Sequence, residues 1–97
     1  MILPLQITSR NIELTEAIEA NIREHAEKLD KYYSRITSCR VMVEALPHRS
    51  LYNLCIDITV PGTELVVKLD PNTDLYLAIR DAFRDAYRKL EDFARRQ

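Results

Sequence analysis

Cys39 and Cys55 are the chain's only thiols, and His25 and His48 its only imidazoles. Two cysteines cannot build a disulfide framework or a complete cysteine zinc site, and two histidines add little metal-binding capacity. The alternation around the cysteines sends Cys39 to the core and Cys55 to the opposite face of a sheet. A bridge would need a register that the flanking apolar residues forbid, so both are expected as free thiols. His25 lies beside the apolar stripe of a helix and reads as a partly buried packing residue, while His48, next to Arg49, reads as a solvated turn residue. No Ser, Thr or Cys has a histidine placed to activate it, so nucleophilic catalysis has no support. The adjacent acids Glu91 and Asp92 fall at the end of an exposed helix rather than in a cleft. A single glycine, Gly62, excludes a Walker A loop, a GxGxxG turn and a GxxG clamp, each of which needs at least two. The expectation is a protein that is not an enzyme and uses no metal and no cofactor.

The patterned surface is cationic. Arg80, Arg84 and Arg88 recur every four residues and Arg95 follows seven later, so on a helix they share a stripe about 80° wide, away from the apolar face. Lys89 and Arg96 lie beside it. Guanidinium groups in a row can track phosphates, because each is planar and donates two parallel hydrogen bonds. A plainer role competes with this one. Asp81, Asp85 and Asp92 form an adjoining acidic stripe, and the spacings Asp81–Arg84, Asp85–Arg88 and Glu91–Arg95 suit ion pairs of about 0.2–0.5 kcal/mol each. Residues 74–97 carry six basic and five acidic side chains, a net of +1, whereas residues 15–31 carry three and five, a net of −2.

The elements that must position these residues follow from periodicity. The chain has 97 residues, 46% hydrophobic and 30% charged, with a net charge of −1, which suits one globular domain spanning residues 1–97. No apolar run approaches membrane-spanning length, and the opening residues lack the basic and apolar regions of a signal peptide. Leu3, Leu5 and Ile7 alternate with polar residues as a short strand, and residues 9–14 read as a connection. Thr15 is a good N-cap for a helix that runs to about Lys31 or Tyr33, with Ile18, Ile22, His25, Ala26 and Leu29 on one stripe. After Arg35 the period changes to two. Cys39, Val41, Val43 and Ala45 point inward on one strand, and Tyr52, Leu54, Ile56, Ile58 and Val60 on the next. Pro47–Ser50 and Pro61-Gly62 read as turns. A fourth strand from Thr63 to Leu69 is expected to bury Leu65, Val67 and Leu69. Thr73 or Asp74 then caps a helix from Leu75 to about Arg95, whose apolar stripe is Leu75, Ile79, Ala82, Phe83, Ala86, Leu90 and Phe93, flanked by Tyr76 and Tyr87.

These elements predict an α+β fold of two layers, β-α-β-β-β-α. The first two strands pair in parallel across the helix and the rest are antiparallel. Both helices cover one face of the four-stranded mixed sheet and leave Gln6, Thr8, Arg40, Glu44, Asn53, Asp57, Thr59 and Lys68 on the other.

Several segments, in order, resemble one family. Leu5-Gln6-Ile7-Thr8 and Ile12-Glu13-Leu14-Thr15-Glu16-Ala17-Ile18 are similar to its opening strand and helix start. Glu27-Lys28-Leu29-Asp30-Lys31-Tyr32-Tyr33-Ser34-Arg35-Ile36-Thr37 is similar to its most recognisable stretch. Val60-Pro61-Gly62-Thr63-Glu64-Leu65 and Asp74-Leu75-Tyr76-Leu77-Ala78-Ile79 match a turn and the start of the last helix. The chain thus resembles the ribosome hibernation-promoting factors and ribosome-associated inhibitors, also described as sigma-54 modulation proteins. The resemblance implies a cytoplasmic, non-catalytic protein, similar in fold to double-stranded-RNA-binding domains, whose partner is the small ribosomal subunit and its rRNA. It would occupy the mRNA and tRNA channel, with no membrane and no small-molecule substrate involved, and hold idle ribosomes inactive under stress. The residues it implies for rRNA contact are Lys28, Lys31 and Arg35 near the first helix and Arg80, Arg84, Arg88 and Lys89 on the last. Relatives carry Lys or Arg at the positions of Asp85, Arg88 and Asp92, of which only Arg88 is basic here. A second expectation, of another class, is an interaction or self-association module that uses the open sheet face around Cys55, Val66 and Lys68, or an edge strand, with little affinity for RNA.

Overall fold

Alternation of β-branched residues with polar ones makes each strand half-buried, and three- to four-residue apolar spacing makes each helix one-sided. The structure, a computed structural model, describes residues 4–47 and 50–96. Its elements are β1 (Leu5–Arg10), α1 (Glu16–Tyr32), β2 (Ser38–Leu46), β3 (Leu51–Val60), β4 (Thr63–Lys68) and α2 (Leu75–Arg95). The sheet order is β1-β2-β3-β4. β1 lies parallel to β2, with Leu5 opposite Cys39 and Arg10 opposite Glu44. β2–β3 and β3–β4 are antiparallel. The expected α+β arrangement is the one observed. β1 continues through Ser9 and Arg10, expected as part of a connection, because both pair with β2. The chain then leaves the strand through Asn11 at φ 60°, a left-handed conformation that Asn tolerates better than most residues.

Both helices begin at side-chain caps. Thr15 Oγ1 accepts from the Ile18 amide at 3.2 Å, and Glu16 and Glu19 place negative charge in the first turn of α1. Of the two candidate caps for α2, Asp74 is the one used: its Oδ1 accepts from the amides of Tyr76 and Leu77 at 3.0 and 3.2 Å. Asp74 is itself held by Asn72, whose Oδ1 accepts its amide at 2.9 Å. Asn72 in turn exchanges backbone hydrogen bonds with Tyr52, so the start of α2 is anchored to β3.

The core lies between the sheet and the two helices. Ile18, Ile22, Ala26 and Leu29 of α1 and Ile79, Ala82, Phe83, Ala86 and Leu90 of α2 meet Cys39, Val41, Val43, Leu54, Ile56, Ile58, Val60 and Val67. α2 crosses β3 and β4, and α1 lies over β1 and against α2. Leu69 departs from expectation: β4 ends at Lys68, and Leu69 is 37% exposed beyond it. The β4–β3 ladder stops at Cys55↔Lys68 although β3 itself runs on to Leu51, and Pro71, two residues after Leu69, has no amide with which to extend it. The turn expected at Pro47–Ser50 includes His48 and Arg49, which lie outside the described residues; Leu3 of the first strand does too. Among the described residues no helix is long and apolar enough to cross a membrane.

Candidate nucleic-acid interface

Where α1 and α2 run side by side, aromatic side chains stitch them together. His25 stacks on Phe83 with ring centroids 5.3 Å apart and planes 12° from parallel. Tyr32 meets Tyr87 at 4.3 Å, and Tyr33 meets Phe93 edge-on at 5.9 Å. Such pairs contribute about 0.5–1.5 kcal/mol each beyond their burial. They leave a surface groove of ≈ 220 Å³ lined by His25, Lys28 and Leu29 of α1 and Arg80, Phe83, Arg84 and Tyr87 of α2. Leu29 and Phe83 are buried and form its apolar floor.

Three of the seven sequence-implied residues therefore converge: Lys28 reaches the groove from one helix, Arg80 and Arg84 from the other. Their charges are differently committed. Lys28 lies 4.0 Å from Glu24 and Arg80 lies 3.1 Å from Asp81. Arg84 and Arg88 hold no ion pair among the described residues. Of the pairs that the spacing suggested, Glu91–Arg95 forms at 3.7 Å. Asp81 pairs with Arg80 next to it instead of Arg84, and Asp85–Arg88 does not close. Lys31 is exposed at the last turn of α1, Arg35 is exposed in the turn after it, and Arg88 is exposed one turn beyond Arg84. Lys89 is separated from the rest. It lines a second groove with Asp92, Phe93 and Arg96 against Thr63–Val66 of β4, because it lies about 100° around the helix from Arg88.

His25 sits within this cationic setting. Its pKa is lowered from 6.5, first by burial and then by Lys28, with Glu24 opposing, so at neutral pH the imidazole is neutral. Periodicity puts His25 and Tyr87 at the margins of their apolar stripes and does not bring them together. A signal was present in their spacing, since His25 and Tyr32 lie seven residues apart on α1 and Phe83 and Tyr87 four apart on α2, which puts each pair on one helix face. Cations above an apolar, aromatic floor can hold an anion and pack a planar group at once.

The cysteines lie where the alternation put them. Cys39 is buried and Cys55 half-buried, both as free thiols. Burial, followed by the charge of Asp57, pushes the Cys39 thiol up to about 12. On the open sheet face, Arg40 donates to Asp57 Oδ2 at 2.8 Å. Gln6, Thr8, Arg40, Met42, Cys55 and Asp57 border a shallow hollow of ≈ 310 Å³ there. No group of three or more His, Cys, Asp or Glu side chains is placed to hold a metal among the described residues.

Residues 5–97 match the family described as Sigma 54 modulation protein / S30EA ribosomal protein. A ribosome hibernation promoting factor from Acidithiobacillus ferridurans is 30% identical over 77% of this chain and 96% of its own length. A ribosome hibernation promotion factor from Deinococcus radiodurans is 29% identical over 94% of this chain, which spans 49% of that relative. Among solved structures, a ribosomal subunit interface protein from Coxiella burnetii superposes with a TM-score of 0.85 over 95% of this chain and 98% of its own, at 10% identity. The N-terminal domain of Protein Y from Thermus thermophilus superposes with a TM-score of 0.82 over 95% and 99%, at 22% identity. At these identities the two structures establish the shared fold.

Proposed function

The chain belongs to the Sigma 54 modulation protein / S30EA ribosomal protein family, and from that membership we propose that it is a non-catalytic, ribosome-associated factor that inactivates idle ribosomes under stress. In this reading residues 1–97 act as one ribosome-binding domain. It acts in the cytoplasm, where ribosomes are, by filling the mRNA and tRNA channel of the small subunit. Lys28, Arg80 and Arg84 grip rRNA phosphates at the groove, Lys31, Arg35 and Arg88 extend the grip along the helical face, and Lys89 makes a separate contact from the β4 side. The observation that carries this reading is the convergence of Lys28 with Arg80 and Arg84 from two different helices onto one exposed surface, in a chain whose curated relatives bear ribosome hibernation names. Occlusion needs no chemistry beyond binding, which agrees with a surface where cations and aromatic rings, not a nucleophile and base, are gathered.

The test is co-sedimentation with bacterial ribosomes on sucrose gradients, comparing wild type with an Arg84→Glu/Arg88→Glu variant. Wild type is expected to travel with the small subunit or the whole ribosome, and the variant to remain at the top. Wild type remaining at the top at low salt would overturn the proposal. A second reading draws on Met42 and Val66, 42% and 43% exposed on the open sheet face: a module that self-associates through that face. It predicts concentration-dependent dimers in analytical ultracentrifugation that Met42→Lys dissociates, with no ribosome in the complex.

A further inference from the structure

We infer that the groove between α1 and α2 is a binding site for a single unpaired nucleotide of an RNA strand, its phosphate held by Lys28 and Arg84 and its base packed against Tyr87. This rests on the proposed ribosome-binding function and names what the same surface recognises.

Charge is the first argument. The protein carries a net −1, and two of the three groove cations already face a carboxylate, Lys28 at Glu24 and Arg80 at Asp81. A surface that holds a duplex must do so mainly through phosphates, whose contribution grows with the number neutralised. Within the groove itself few such contacts are available, so a second source of affinity adds there to the cations along the rest of the helical face. Aromatic stacking is that source, and it requires an exposed base face.

Geometry is the second. Tyr87 lines the groove, is 41% exposed and is braced by Tyr32 at 4.3 Å, so its ring is held in place before any ligand arrives. The His25–Phe83 stack and Leu29 close the floor. The groove is open to solvent above this floor, so a base with a free face can reach Tyr87 from outside. Arg84, with no ion pair among the described residues, stands one turn before Arg88 and four residues after Arg80 on the rim, where a phosphate attached to that nucleotide would lie. Bases inside a duplex are stacked on their neighbours and cannot enter such a site without being extruded.

The experiment measures fluorescence anisotropy of a labelled, unstructured RNA of about 10 nucleotides and of the same sequence as a duplex, beside ribosome co-sedimentation. The proteins are wild type, Tyr87→Phe, Tyr87→Ala and Arg84→Gln, each checked by circular dichroism for an unchanged fold. Wild type is expected to prefer the single strand. Tyr87→Ala should weaken single-strand binding roughly tenfold, while Tyr87→Phe, which keeps the ring, retains it. Arg84→Gln should weaken both RNAs and flatten the salt dependence. Equal affinity for duplex and single strand, an unchanged affinity for Tyr87→Ala, or binding to ribosomes but to neither free RNA would each overturn the inference while leaving the ribosome reading intact. Absence of both RNA and ribosome binding would overturn the two together.

Discussion

Cys39 and Cys55 are sixteen positions apart in sequence and chemically alike, yet the sheet gives them different environments. Cys39 is buried with its thiol pushed up to about 12, so almost no thiolate forms at neutral pH, and the thiolate is the reactive species. Cys55 lies half-buried on the open face. The native protein is therefore expected to take up one equivalent of a maleimide or disulfide reagent quickly, at Cys55, and a second only after denaturation; rapid labelling of both would contradict the register. His25 supplies a pH signature. Its pKa is lowered in the fold from 6.5, by burial and then by Lys28, so below that value the unfolded chain takes up a proton that the folded one resists. Stability should be level above the ordinary histidine pKa and decline as pH falls through and below it. Thermal melts of wild type and His25→Asn across this range isolate the effect, since the decline should shrink in the variant.

At the scale of elements, the caps and one turn concentrate local control. Asp74 accepts from two amides at the start of α2, and Asp74→Ala should cost about 1 kcal/mol, seen in urea as a lower midpoint with an unchanged slope. Asp74→Asn, which keeps an acceptor, should recover most of it. Gly62 joins β3 to β4 at φ +87°, and a Cβ added there would meet nothing within 4 Å. Any cost of Gly62→Ala is thus conformational, about 1 kcal/mol, and Gly62→Asn should be milder because Asn tolerates that region. These two elements were legible in the sequence because capping and left-handed turns depend on residues a few positions apart. The end of β4 was less so. Leu69 reads as the next inward residue of an alternating strand, but β4 leaves the ladder at Lys68 while β3 runs on to Leu51, and alternation within one strand does not state where its pairing stops.

For the whole molecule, the consequence of the paired helices is a concentrated cationic surface on a protein of nearly balanced charge. If ribosome binding uses about four of its phosphate contacts, affinity should fall on the order of 10²-fold between roughly 50 and 200 mM salt. Sedimentation at several salt concentrations checks this, and a flat response would remove phosphate gripping as the basis of binding. The core that holds α2 in place can be probed independently. Leu90 is fully buried, and Leu90→Ala should cost about 2–5 kcal/mol, loosening the helix that presents Arg80, Arg84 and Tyr87.

Periodicity determined the order of elements and the face each cysteine occupies, and the lengths of the connections determined the parallel and antiparallel pairings. A strand of period two and a helix of period 3.6 state which side chains share a side without reference to the rest of the chain. The same arithmetic placed Arg80, Arg84 and Arg88 on one stripe and could go no further. Which residues of α1 would stand opposite them depends on how far the two helices are shifted along each other, a quantity fixed by packing between the helices, as in the His25–Phe83 and Tyr32–Tyr87 pairs, and present in neither helix's own pattern. Only the tertiary structure decided that Lys28 and His25 meet Arg80, Arg84 and Tyr87, while Lys89, adjacent in sequence to Arg88, faces β4 instead.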